Sequence, residues 1–180
     1  MKVSHLSIAL VAGLIFIAGI FGLSLYITYG GPDGRTIESR EELIAKYREP
    51  RNEKWTIMEE REAEGYIISG LRNEEGNYVI AVFEPAKGER YKIQSWWYGE
   101  NDDVVYNKFR MNDVWYDAAW YNGDEKIEYA EIKYTIDGKD QIVKKFDTTD
   151  SPIIYTKTPD ASSFSFDIVY YDSAGNEYRT

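Results

Sequence analysis

The 180-residue sequence predicts an all-β domain, an antiparallel β-sandwich with one short N-terminal amphipathic helix, preceded by a single transmembrane helix. Three observations lead to this class. Apolar and polar residues alternate in several runs, as in Ala130, Ile132, Tyr134 and Ile136 against Glu131, Lys133 and Thr135, the signature of strands with one buried face. Clusters of Gly, Asn, Asp and Pro punctuate these runs at close intervals, which favours hairpins over crossovers. Near the N-terminus, the 22 residues from Leu6 to Ile27 carry no charge.

Residues 1–5 make a short positive head. As a helix, the uncharged run reaches about 33 Å, the thickness of a bilayer core. A cleaved signal would have an apolar stretch of about 7–15 residues and small residues at its cleavage site. Neither Gly22-Leu23-Ser24 nor Thr28-Tyr29-Gly30 gives that pattern, so residues 6–28 are expected to stay as a signal anchor whose partner is the lipid bilayer. The positive head, the lack of Lys and Arg over residues 28–34, and Tyr26 and Tyr29 at the far end put the N-terminus in the cytoplasm. The chain is therefore expected in the cell membrane, single-pass, with its C-terminal part extracytoplasmic. Residues 29–38 read as a linker, being rich in turn formers from Tyr29 to Gly34. Residues 39–180 read as one extracytoplasmic β domain.

In that domain, Ser39-Arg40-Glu41-Glu42 has capping-box spacing, Leu43, Ile44 and Tyr47 share a helical face, and Pro50 closes the segment, so a helix is expected over 39–47. Strands are expected near 54–60, 65–71, 77–84, 90–98, 102–109, 113–121, 126–136, 140–146 and 152–158, with a last pair folding around Gly175. Tyr78–Phe83 is apolar at both phases and belongs inside a sheet. Strands with one apolar face must bury it against a second sheet or a helix, hence the sandwich. The final run from Phe164 to Tyr178, with its Asp172-Ser173-Ala174-Gly175-Asn176 turn, resembles the closing hairpin of immunoglobulin-like modules on bacterial surface proteins. That resemblance spans roughly the last 65 residues and implies immunoglobulin-like character in the C-terminal part, without the Cys and Trp pattern of antibody domains.

Composition narrows the chemistry. All 31 acidic residues and 20 of the 21 basic ones lie beyond the apolar run, a balance of −11 that repels polyanions, so no nucleic acid partner is expected. There is no cysteine, and the one histidine, His5, precedes the apolar run. Disulfides, thiolate and Ser-His-Asp catalysis, and the usual zinc sites are thereby denied to the domain, and neither cofactor nor metal is expected. A cysteine-free exported domain fits a bacterial cell envelope. Carboxylates remain: Asp113, Asp117 and Asp167 stand close to aromatics, though each reads first as the solvated face of an alternating strand. Asn101-Asp102-Asp103, Asp147 with Asp150, and Asp172 with Asn176 offer oxygen ligands for calcium but read first as turns.

The runs Gln94–Tyr98 and Val114–Tyr121 carry the most aromatic side chains. If Trp97, Tyr116 and Trp120 point inward, then Trp96, Tyr98, Trp115 and Tyr121 form an exposed row suited to stacking on sugar rings or anchoring a protein. The alternative is that a second sheet and the helix cover both faces. The function expected is thus a non-enzymatic, membrane-anchored binding or assembly module of the cell envelope, acting on an envelope protein or glycan. The alternative function is an accessory carboxylate-dependent hydrolase of envelope glycan.

Overall fold

The computed structural model describes residues 32–47, 53–99 and 103–179. Its contacts divide the chain into Met1–Asp33 and Gly34–Thr180, and the second unit is the subject below. The expected anchor at residues 6–28 lies outside the described residues, among which no helix is long and apolar enough to cross a membrane.

Helix α1 spans Ile37–Tyr47. It starts earlier than the capping-box spacing at Ser39 suggests because Thr36 is the cap. The Thr36 hydroxyl accepts the Ser39 N–H at 3.2 Å, while the Ser39 Oγ accepts the Gly34 N–H at 2.8 Å. Among the described residues eleven strands follow, all paired antiparallel. β1 (Trp55–Ala63), β2 (Tyr66–Asn73), β3 (Tyr78–Ala86) and β4 (Arg90–Gly99) form one sheet in sequence order. β5 (Val104–Met111), β6 (Val114–Tyr121) and β9 (Ile153–Lys157) form a second, in the order β5-β6-β9. β7 (Ile127–Ile136), β8 (Asp140–Asp147), β10 (Phe164–Asp172) and β11 (Glu177–Arg179) form a third, in the order β11-β10-β7-β8.

The sheets pack face to face in sandwich-like fashion, but there are three where the strand pattern leads one to expect two. Three apolar clusters show how they stack. Ile44 joins Trp55, Leu71, Val79, Ala81, Phe83 and Ile93 between α1 and the first sheet. Ile68, Ile80 and Val82 meet Val105, Phe109, Ala118 and Trp120 between the first and second sheets. Val104, Ala119, Tyr121 and Ile154 meet Ala130, Ile132, Tyr134, Ile168 and Tyr170 between the second and third. The order of layers is therefore helix, first sheet, second sheet, third sheet, and the second sheet has protein on both faces. β3, apolar at both phases, lies as expected with both faces covered.

Each layer boundary is also crossed by a buried polar tie. Arg40 of α1 makes a two-pronged pair with Glu60 at 2.8 and 2.5 Å, and Glu60 also accepts the Ser69 hydroxyl at 2.7 Å. Asn107 of β5 donates to the Ile80 carbonyl at 3.2 Å and to the Ser95 hydroxyl at 3.1 Å across the next boundary. Asp117 of β6 bridges to the third sheet, as described below.

Two bulges set which side chains face which layer. In β4 the register skips from Ser95 to Ile93, leaving Gln94 as the extra residue. Every side chain beyond a bulge changes face, so Trp96 and Tyr98 turn toward the α1 side, and Trp97, opposite Ile80, overhangs the second sheet with 61% of its surface exposed. Met58 is the extra residue of the β1 bulge and is likewise exposed. The Gln94 amide meanwhile reaches the unpaired edge of β5, where its Oε1 accepts the Arg110 N–H at 3.3 Å and its Nε2 donates to the Arg110 carbonyl.

Successive strands run up and down, so alternate connections collect at one end. Asn112 bonds Glu64, Arg35 bonds the Gly88 carbonyl, and the Asp137 N–H bonds the Ser163 carbonyl. The turns at 64–65, 87–89, 112–113 and 137–139 and the loop 158–163 thus lie at one end of the domain, the end at which Arg35 meets the 87–89 turn.

The Trp120 ring lies directly against the Gly70 backbone, so close that a Cβ there would stand 2.3 Å from the ring. Gly70→Ala is therefore expected to force the indole off its seat at a cost of about 1–3 kcal/mol. Urea unfolding followed by tryptophan emission should show a lower midpoint with an unchanged slope; an unchanged midpoint would mean the ring is not held there.

Candidate functional site

The β5–β6 hairpin builds the site. Its two-residue turn, Asn112-Asp113, has φ of 48° and 67°, the left-handed pair of a type I′ turn, which Asn and Asp accept more readily than most residues. This tight turn fixes β6 so that Trp115, Asp117, Ala119 and Tyr121 face the third sheet, while Tyr116, Ala118 and Trp120 face the first. Lys108 and Tyr106 of β5 point the same way as Trp115.

At the end where the chain enters, the gap between the second and third sheets opens into a cleft of about 430 Å³, lined by Lys108, Asp113, Trp115, Lys157, Thr158 and Phe164. Trp115 keeps 51% of its surface exposed. Its carbonyl accepts the Thr158 N–H at 2.9 Å, which ties the 158–163 loop to β6. The Lys108 amine stands 5.7 Å from the centre of the Trp115 ring and 4.9 Å from that of Phe164, a cation between two aromatic faces. Asp113 pairs with Arg110 at 3.3 Å across the turn.

Below this mouth lies a polar floor. Asp117 is fully buried, and its carboxylate accepts three hydroxyls: Tyr106 at 2.7 Å, Tyr134 at 2.7 Å and Thr158 at 2.9 Å. Burial, reinforced by the Asp117 charge, pushes the Tyr106 and Tyr134 hydroxyls far above the ordinary tyrosine range, so both stay protonated as donors. Lys144 of β8 closes the flank. Its amine donates to the Thr156 hydroxyl at 2.9 Å and the Lys157 carbonyl at 2.8 Å. Burial lowers its pKa, against the pull of Asp117 and with the push of Lys157. Thr158 is the hinge of the arrangement: it lines the cleft and bonds the buried carboxylate.

Of the four aromatics expected on one exposed row, only Trp115 borders the cleft. Trp96 and Tyr98 sit half-buried against the cluster under α1, with Tyr98 edge-on to Trp55 at 6.4 Å. Tyr121 is buried between the second and third sheets, against Tyr170 and Tyr178, and donates to Glu125 at 2.6 Å. The row does not form, because the Gln94 bulge inverts the second half of β4 and the third sheet covers the far side of β6. Asp117 is likewise not on a solvated face. The sequence signal for it was available: it is the lone charge in the eight residues of β6. Lys108, Lys157 and Thr158 carried no sequence signal, since they come together only through sheet packing.

Among the described residues, no group of three or more His, Cys, Asp and Glu side chains is placed to hold a metal ion. The Asp172 carboxylate is occupied by its own turn, accepting the Ala174 and Asn176 N–H groups, the Asn176 amide and the Tyr178 hydroxyl. Compared with known proteins, the chain matches no protein-family model, no curated protein and no solved structure.

Two outcomes follow from the polar floor. Asp117→Asn puts an amide donor against hydroxyl donors and is expected to destabilise the domain by about 2–4 kcal/mol, read by thermal or urea unfolding. For the buried tyrosines the folded pKa lies above the unfolded one, so their contribution is complete below about pH 10 and is lost as pH rises beyond it. Tyrosinate absorbance in an alkaline titration should rise in two stages, the second coinciding with loss of structure by circular dichroism. A single smooth ionisation with structure retained would contradict this burial.

Proposed function

We propose that the chain is a membrane-anchored binding or assembly module of the cell envelope, without catalytic activity. Residues 6–28 hold it in the bilayer, its N-terminus lies in the cytoplasm and its β domain lies outside. The uncharged run of 22 residues supports the anchor. Binding rests on one observation: a half-exposed tryptophan on a paired strand, at the mouth of a cleft lined by charged and hydroxyl groups. Large aromatic surface left in water beside fixed polar groups is the composition of a recognition site.

The carboxylates nearby favour binding over hydrolysis. Asp117 has no surface and three hydroxyls on its two oxygens. Asp113 stands in water at a turn tip, its side chain 91% exposed and paired with Arg110. Neither has the half-buried setting of a general acid that can reach a bound substrate.

Fractionation and capture test this together. The full chain should stay with the membrane pellet in high salt and be released by detergent, and its C-terminal part should be cut by protease added outside cells. In detergent it should capture isolated envelope material, and Trp115→Ala should lose that capture while melting as the parent does. Recovery of the uncleaved chain in the soluble cytoplasmic fraction would overturn the placement. Capture that survives Trp115→Ala would overturn the site, and glycan cleavage lost on Asp113→Asn would reinstate the hydrolase.

A further inference from the structure

We propose a second interaction surface, the outer edge of β9, where an extended acidic peptide segment of a partner protein adds a short strand to the central sheet. The backbone of β9 shows which groups are on offer. The Tyr121 N–H bonds the Pro152 carbonyl and the Thr158 N–H bonds the Trp115 carbonyl, so the even-numbered residues of this strand face β6. Alternation then turns the N–H and C=O groups of Ile153, Tyr155 and Lys157 outward, and β9 is the last strand of its sheet. The two ends of this edge are capped by side chains. The Ile153 N–H bonds the Ser151 hydroxyl at 3.2 Å, the Ile153 carbonyl accepts from Arg61 at 2.6 Å, and the Lys157 carbonyl accepts from Lys144 at 2.8 Å. Tyr155, half-buried between the caps, keeps both its N–H and its C=O for a further strand.

Charge decides what that strand carries. Arg61 of β1 and Lys144 of β8 reach the edge from the sheets on either side, and Lys157 turns its exposed side chain to the same face as Tyr155 and Tyr116. The domain is strongly acidic, yet among the described residues none of these three cations has a carboxylate at ion-pair distance. The carboxylates whose charge reaches this region are engaged elsewhere: Glu64, which acts on Tyr116, bonds Asn112, and Asp117, which acts on Lys144, bonds its three hydroxyls. Arg61 is steadied by the Tyr155 ring, 5.5 Å from its guanidinium, and spends one N–H on Ile153; the Lys144 ammonium spends two of its three. Each can therefore keep its carbonyl and still take a carboxylate. The capped carbonyls of Ile153 and Lys157 stand about 13 Å apart along the strand, so the segment that fits is short, about five residues. Pairing at Tyr155 supplies two backbone bonds, and the flanking cations select acidic side chains.

Detergent-solubilised full chain, titrated by calorimetry with hexa-glutamate, hexa-serine and dextran sulfate, tests this, with amide exchange over residues 151–158 followed by mass spectrometry. Hexa-glutamate should bind, weaken as salt is raised and slow exchange in that stretch, while hexa-serine should not bind. Arg61→Met and Lys144→Met keep the packed stems and remove the charge, and each should lower the affinity about tenfold, the worth of one charge-assisted hydrogen bond. Hexa-glutamate methylated at its backbone nitrogens keeps its charge but cannot donate, and should also bind about tenfold more weakly. Equal affinity of the methylated peptide, or dextran sulfate binding in place of the peptide with the same losses in both variants, would overturn strand addition and leave a polyanion patch. Unchanged affinity in both charge variants would overturn this edge, as would the absence of hexa-glutamate binding. Where a variant melts earlier than the parent, exchange in the parent decides: slowing over 151–158 supports the edge, and unchanged exchange overturns it. Envelope capture through Trp115 bears on the cleft alone.

Discussion

The three-stranded sheet β5-β6-β9 has no face in water, and most of the domain's other features answer to that. A strand in such a sheet must be apolar at both phases, which is what the Trp, Tyr and Ala residues of β6 supply. Ala118 and Ala119 give the close approach at its centre, with Trp120 and Tyr121 filling the wider space on either side. Removing either flanking sheet would expose aromatic surface on the order of several hundred Å², far more than a stable monomer tolerates. The layers therefore stand or fall together.

Apolar contact alone fixes neither register nor which layer meets which. The buried ties do. A carboxylate with two oxygens and three hydroxyl donors, as at Asp117, is satisfied in one arrangement of β5, β7 and the 158–163 loop and in no slipped one, because a slip would leave buried polar atoms unpaired. The Arg40–Glu60 pair and the Asn107 bonds do the same at the other two boundaries. The floor of the cleft is thus one of the domain's alignment points, which explains why its mouth has a fixed geometry although much of it is loop.

The sequence revealed the strands far better than their stacking. Period-2 alternation and turn residues located the strands from Trp55 onward to within a few residues, and the 137–138 and 172–176 turns were visible as residue types. The third layer was not legible, since a strand covered on both faces by sheets reads the same as one covered by a sheet and a helix. A bulge such as that at Gln94 adds one residue without any compositional mark, yet it turned Trp97 outward and Trp96 and Tyr98 inward. Trp115, which borders the cleft, stands in an aromatic run that the sequence displays openly. Its companions Lys108, Lys157 and Thr158 come from three separate stretches of chain that no local pattern connects.

Gln94 and Lys144 perform one service at opposite flanks of the central sheet. Each covers an otherwise open backbone group, Gln94 at β5 and Lys144 at β9, with an amide or amine that another chain would have to displace before zipping on. A tyrosine-rich body of three sheets offers six lateral rims, and the most buried sheet would be the most adhesive if its rims were bare. Blocking one position on each rim puts a polar obstacle in the way of copies fusing into extended β-structure.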